Sequence, residues 1–160
     1  MTFLERLCSA LNDHKLCYAL VGGHAVAFYG AVRGTVDVDF VINWSADTLV
    51  KTEKTLKAIC LVSRLPIDAN DVFKNRKHYI YERNLIAWNF YNPDNLVEQV
   101  DIIINFDLQA DSIRELVIGD TVLPLLELSQ LIEMKRNAGR TQDLIDVSAL
   151  EVILREEQNQ

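Results

Sequence analysis

Three aspartates carry the chemistry this sequence offers. Asp37 and Asp39 stand two apart in Val36-Asp37-Val38-Asp39-Phe40-Val41-Ile42, and Asp101 opens Asp101-Ile102-Ile103-Ile104. All three sit among β-formers, and alternation along a strand turns Asp37 and Asp39 to one face. Two carboxylates on one face of an apolar strand repel each other, and burying them unpaired is costly. A divalent cation removes that conflict. Hard oxygen ligands of this kind suit Mg2+ or Mn2+, which bind carboxylates together with substrate phosphates. If the Asp101 strand lies beside Val36–Ile42, the three carboxylates converge on one sheet edge. They would then clamp metal on a triphosphate, activating an attacking hydroxyl and steadying a leaving pyrophosphate.

A second feature points to the same substrate. Tyr18–Val21 reads as a short strand, stopped by Gly22-Gly23, with a short helix expected from His24 to Tyr29 and an end at Gly30. Glycines at a strand–helix junction expose backbone N–H groups with no Cβ in the way. The helix N-terminus adds partial positive charge, so the junction suits phosphate oxygens. A lone Gly-Gly is simply a tight turn, but here Asp-x-Asp follows after an interval of thirteen residues. No G-x-x-x-x-G-K-[ST] loop is present, which sets a P-loop kinase or phosphohydrolase behind.

Together these residues resemble the nucleotidyltransferase superfamily, of DNA polymerase beta-like fold, whose core is a Gly-Gly or Gly-Ser turn, then Asp-x-Asp, then a third Asp on a later strand. The Gly22-Gly23-His24-Ala25 and Arg33-Gly34-Thr35-Val36-Asp37-Val38-Asp39 forms are similar to its abortive-infection and lincosamide/aminoglycoside branches. The match runs from Val21 to Ile42, resumes at Val100–Ile104 and continues through Lys135–Asp146. Residues between about 45 and 98 carry no motif of it.

The resemblance implies transfer of a nucleoside monophosphate from a triphosphate to a hydroxyl or other acceptor, with release of pyrophosphate. Asp37, Asp39 and Asp101 would be the metal ligands, Asp101 also the base for the acceptor hydroxyl, and Gly22 and Gly23 would cradle the triphosphate. Lys135 and Arg140 would reach the triphosphate from the helix junction, where related chains carry Arg-x-Lys-Asp. This chain departs from that pattern with Gln142 where a lysine is common.

Other residues admit two readings. Arg33 meets a phosphate or forms a structural salt bridge to a nearby carboxylate, and Thr35 fixes the loop through its hydroxyl. Lys135 alternatively compensates a helix C-terminus, while Asp143 and Asp146 suit the first turn of the next helix and a salt bridge to Arg140. His24 reads as packing or substrate-lining. Trp44, Trp88 and Tyr91 read as core or rim aromatics, and Cys60 as buried.

These groups need a scaffold. Thr2-Phe3-Leu4-Glu5 is a capping box opening a helix with Phe3, Leu4, Leu7 and Leu11 at helical spacing. A helix is expected from about Ala46 to Ala58. Tyr79–Tyr81 and Leu85–Phe90 suggest a hairpin turning at Glu82-Arg83-Asn84, and Val97–Ile104 a central strand. Two helices close the chain, about Leu126–Asn137 and Thr141–Glu156, broken at Ala138-Gly139. Strands and helices interleave, so the expected architecture is α/β (α+β): a mixed sheet with helices packed on it and a C-terminal helix pair, one domain over residues 1–160.

Composition narrows the partners. The 160 residues are 49% apolar, ordinary for a soluble globular chain, and no apolar run approaches the roughly 20 residues of a membrane span. Charge falls where a signal peptide would place its apolar core, so a cytoplasmic location is expected. Three scattered cysteines and three histidines give no zinc spacing, and the cysteines read as reduced packing residues. Sixteen Lys and Arg against 23 Asp and Glu leave a net charge of −7, which disfavours an RNA acceptor despite the basic run Lys74-Asn75-Arg76-Lys77-His78 and Arg83. The partners expected are a nucleoside triphosphate and an acceptor that is a small hydroxylated molecule, a protein or RNA. A toxin–antitoxin context would add a neighbouring protein such as an antitoxin. The alternative is a domain of the same fold that binds a nucleotide or partner without turnover.

Overall fold

The computed structural model describes residues 1–31 and 33–160. The elements run α1 (Phe3–Asp13), β1 (Tyr18–Val21), α2 (Gly22–Phe28), β2 (Val38–Ile42), α3 (Ala46–Ala58), β3 (Val62–Ser63), α4 (Ala69–Lys74), α5 (Arg76–Glu82), β4 (Ala87–Asn92), β5 (Asn95–Ile103), a 3-10 turn (Ala110–Ser112), β6 (Ile113–Ile118), β7 (Thr121–Leu126), α6 (Leu128–Ala138) and α7 (Thr141–Gln158). Seven strands form one mixed sheet in the order β3-β4-β5-β2-β1-β7-β6.

The centre of that sheet is apolar on both faces. Every residue of β1 is buried, as are Val38, Phe40, Val41 and Ile42 of β2 and Val100 and Ile102 of β5. Strands covered on both sides read as continuous hydrophobic runs, which is how these appear in the sequence. The α1 capping box forms as the sequence implies, with Thr2 accepting from the Glu5 N–H and Glu5 from the Thr2 N–H. It sends Leu7, Cys8 and Leu11 into the core. Ser45 caps α3 by accepting from the Thr48 N–H. The buried hydrophobic residues form a single connected core.

Two expectations fail in the middle of the chain. Residues 76–82 are helix, so no hairpin turns at Glu82-Arg83-Asn84. Tyr79-Ile80-Tyr81 has strand-like composition, but Tyr79 and Ile80 pack against the core while Tyr81 is 81% exposed. Arg76 holds the start of this helix by donating to the Ile104 carbonyl and pairing with Asp107. The real hairpin joins β4 to β5 through Pro93-Asp94, a turn pair with Trp88–Tyr91 on one side and Leu96–Val100 on the other. Residues 105–125 carry no expectation above, yet they supply the β6–β7 hairpin. Its turn is Gly119-Asp120, and β7 gives β1 its parallel neighbour through Leu20 and Leu125.

Cys60 also departs from expectation. It is exposed at φ 71°, directly after α3, while Cys8 is buried and Cys17 half-buried. No helix among the described residues is long and apolar enough to cross a membrane.

Candidate active site

Strand pairing aligns the site. β2 runs antiparallel to β1 and parallel to β5, so Val21, Asp39 and Asp101 form one row across three strands. Asp39 and Asp101 are direct register partners on adjacent parallel strands, within hydrogen-bonding reach of each other. Burial pushes the Asp39 carboxyl up to about 7, reinforced by the charge and hydrogen bond of Asp101 and by Asp37, with Lys135 opposing. A cation beside the Asp39 carboxylate would relieve that repulsion.

Asp37 is placed differently. β2 begins at Val38, so strand alternation does not extend to Asp37, which lies in an exposed bend. The three carboxylates therefore do not converge as one tight cluster. Among the described residues, no three His, Cys, Asp or Glu side chains stand close enough together to enclose a metal ion.

The glycines belong to this arrangement through close approach. Gly22 has φ 66°, and a Cβ there would run into the Asp39 carboxylate, 2.9 Å from its Cγ. Both the backbone and the neighbour thus require glycine. A Cβ on Gly23 would lie 2.6 Å from Arg33 Nη1 and 2.7 Å from Thr35 Cβ. The Gly-Gly pair lets Asp39 settle on the start of α2 and the loop carrying Arg33 and Thr35 fold over it. The Thr35 hydroxyl donates to the Asp37 carbonyl at 3.4 Å, the loop-fixing contact expected of it.

Cations arrive from the C-terminal helix pair. The chain turns at Gly139 between α6 and α7, which pack side by side. Lys135 is 6% exposed, with its Nζ donating to Asp143 Oδ1 at 3.1 Å and lying 3.0 Å from Asp146 Oδ2. Arg140 donates from Nε to Asp143 Oδ2 at 2.7 Å, and Arg33 Nη1 lies 3.4 Å from Asp146 Oδ2. That oxygen has ionic neighbours but no hydrogen bond of good geometry. Burial pushes the Asp143 carboxyl up, but hydrogen bonds from Arg140 and Lys135 outweigh it and hold it below its ordinary range. Asp143 thus pairs with Arg140 as anticipated, whereas Asp146 pairs with Lys135 and Arg33. Lys135 is a buried counter-ion rather than a helix-end charge. Gln142 donates to Asp146 Oδ1 at 2.9 Å.

The nine residues assigned to metal or triphosphate from the sequence line one cavity of about 900 Å3: Gly22, Gly23, Arg33, Thr35, Asp37, Asp39, Asp101, Lys135 and Arg140. Gln142 is not among the residues that line it. His24 faces a separate cavity of about 420 Å3 beside Phe3, Phe28 and Val97. Trp88 is core, and Trp44 packs against the core, stacked on Phe73 with the Arg76 guanidinium 3.9 Å from its ring.

Other lining residues carried no sequence signal: Ile86, Ile103 and Phe106 on the sheet side, and Glu133, Met134 and Asn137 on α6. Five carboxylates on this wall (Asp37, Asp39, Asp101, Glu133, Asp143) face three cations (Arg33, Lys135, Arg140). A triphosphate entering alone would meet net negative charge, which divalent cations carried with it would offset.

No protein-family model matches the chain, and no curated protein does. Solved structures resemble it. A lincosamide antibiotic adenylyltransferase with lincomycin bound matches at a TM-score of 0.63 and 16% identity, over 94% of this chain and 96% of that one. ANT(2″)-Ia in complex with adenylyl-2″-tobramycin matches at 0.62 and 13%, over 95% and 87%. An antigenic nucleotidyltransferase-like protein from Paracoccidioides brasiliensis matches at 0.56 and 19%, over 92% and 72%. Identities this low speak to architecture alone, and on that ground the chain has the nucleotidyltransferase fold.

Proposed function

We propose that the chain is an enzyme that moves a nucleoside monophosphate from a nucleoside triphosphate to an acceptor hydroxyl, releasing pyrophosphate, with a divalent cation as cofactor. The observation that carries this reading is the register pairing of Asp39 with Asp101 on neighbouring parallel strands, in the wall of a cavity that Arg33, Lys135 and Arg140 also line. The two acids fit a hard cation: they are adjacent oxygen donors whose mutual repulsion a cation would relieve. Asp39 and Asp101 would hold it, with Asp37 joining from the exposed bend at the same wall. Bound there, Mg2+ or Mn2+ would supply Lewis-acid stabilisation of phosphate charge.

The remaining work falls to this chain's own groups. Asp101 takes the acceptor's proton, and Arg33 and Arg140 contact phosphate oxygens. The Gly22-Gly23 backbone lies at the same wall for close approach of the triphosphate. Lys135 acts by keeping Asp143 and Asp146 in place, since both its short contacts go to them. The two similar structures whose ligands are named hold lincomycin and adenylyl-2″-tobramycin. That supports a small hydroxylated acceptor over a protein or RNA, seated among the apolar lining residues Ile86, Ile103, Phe106 and Met134.

The test is pyrophosphate release from each nucleoside triphosphate with Mg2+ or Mn2+, in the presence of a cell extract to supply acceptors, comparing native protein with Asp39→Ala. Release by the native protein that vanishes in the variant supports the reading. Triphosphate binding with no release by either protein would instead indicate a binding domain.

A further inference from the structure

Asn89 is out of place by composition. It stands mid-strand in Ala87-Trp88-Asn89-Phe90-Tyr91, among residues that favour strands, and asparagine is depleted there. A half-buried carboxamide in such a setting needs partners for both of its ends. It has them. The β4–β5 register places Asn89 opposite Asp101, extending the row that already contains Val21, Asp39 and Asp101. Asn89 Nδ2 donates to Asp101 Oδ1 at 2.8 Å and, at 3.4 Å, to the Val100 carbonyl. Asn89 Oδ1 accepts from Arg64 Nε at 2.7 Å.

The arginine settles the orientation of the amide. A guanidinium only donates, so the group facing it must be the carbonyl oxygen, and the amino group is turned to Asp101. β3 serves this placement. Its two residues pair with β4 at Tyr91 and Phe90, and the Arg64 N–H then donates to the Asn89 carbonyl at 2.9 Å. Trp88 Nε1 anchors Ser63 at 2.8 Å, and the Arg64 guanidinium lies over the Tyr91 ring at 4.4 Å. These contacts hold Arg64 beside Asn89.

We propose that Asn89 is a positioning residue for Asp101, and that Arg64 positions Asn89 in turn. By holding one carboxylate oxygen, Asn89 stops the Asp101 side chain from rotating and keeps its second oxygen toward Asp39. This rests on the nucleotidyl-transfer reading above. Partners that orient a ligating side chain typically matter 10- to 100-fold in metal affinity or activity.

The test is a double-mutant cycle on Mn2+ affinity in the absence of nucleotide, read by electron paramagnetic resonance of free Mn2+, with kcat and KM alongside. Asn89→Ala is expected to weaken Mn2+ binding by roughly 10- to 100-fold and to lower kcat similarly, with KM for the triphosphate within about threefold. Arg64→Met is expected to weaken binding by roughly tenfold in the native background and by less than about twofold beside Asn89→Ala, because the arginine acts only through the amide. Arg64 is exposed, so its variant reports even if Asn89→Ala folds poorly. Binding unchanged by Arg64→Met, or effects of the two substitutions that simply add, would overturn the proposal. Native protein that releases pyrophosphate while both variants match it would sink this inference alone. Native protein that binds no Mn2+ would remove the function and the inference together.

Discussion

Lys135→Met is the perturbation whose consequence the structure specifies most fully. The native ammonium is 6% exposed and stands 3.1 Å from Asp143 and 3.0 Å from Asp146. Methionine fills similar volume but removes the counter-ion. Taking one partner from a buried ion pair typically costs about 3–5 kcal/mol, because the partner remains buried and charged. Here Asp143 keeps Arg140 at 2.7 Å, while Asp146 keeps only the neutral Gln142 amide and Arg33 at 3.4 Å. The lower end applies, about 3 kcal/mol, which for a chain of this size lowers Tm by roughly 6–12 °C.

The pH dependence follows from the signs. In the native protein Asp143 is held below its ordinary pKa, so its stabilisation is present above the unfolded value near 3.9 and lost as pH falls through the folded value. In the variant burial still pushes the Asp143 carboxyl up and only Arg140 remains to oppose it, so less of that stabilisation is left at pH 7. The difference between the proteins should be large at pH 7 and shrink toward about pH 3, where the carboxyl is protonated in both states. Urea melts at both pH values measure it, with Lys51→Met as control. That lysine pairs with Asp47 on the surface, where such a pair is worth about 0–1 kcal/mol. A drop at pH 7 no larger than the control's, or one that does not shrink on acidification, would refute the reasoning.

Further outcomes follow from the same geometry. Gly22→Ala sets a methyl against the Asp39 carboxylate at φ 66°, and should cost at least about 1 kcal/mol and abolish Mn2+ binding, as melts and titration would show. Asp39 keeps its proton to about 7, so Mn2+ affinity should rise between pH 5 and 7, by up to about tenfold per unit, and level off above. Without metal the same group subtracts stability as pH rises from about 4 to 7, so Mn2+ should raise Tm more at pH 8 than at pH 5. Cys60, exposed, should react first with a thiol reagent, whereas burial pushes the Cys8 thiol up to about 11 and should leave it inert until unfolding.

The candidate site could be read from the sequence where its chemistry is local. Gly22-Gly23 and Asp-x-Asp lie within one strand–helix–strand stretch, and their residue types already imply close approach and paired charge. Asp101 was legible as a carboxylate in an apolar strand, but its alignment with Asp39 depends on β2 lying beside β5, which no local pattern states. Asp37 was set on the wrong side of a boundary, because alternation was extended two residues before the strand begins. Arg64 and Asn89 gave no usable signal, being brought together by a two-residue strand too short to show periodicity. Lys135 was legible as a triphosphate contact or a helix-end cation, and only the packing of α7 on α6 makes it a buried counter-ion. The 76–82 helix was misread because Tyr-Ile-Tyr favours strand by composition, and tertiary contacts at Arg76 and Ile80 override that preference.

The central claim is that Asp39 and Asp101 join a divalent cation to a triphosphate in this cavity. It is tested most directly by measuring triphosphate affinity as a function of Mn2+ concentration, in native protein, Asp39→Asn and Asp101→Asn. The account predicts that native affinity rises with Mn2+ and that both variants lose this dependence while keeping their melting cooperativity. Triphosphate binding that ignores Mn2+, or Mn2+ dependence that survives in both variants, would contradict it.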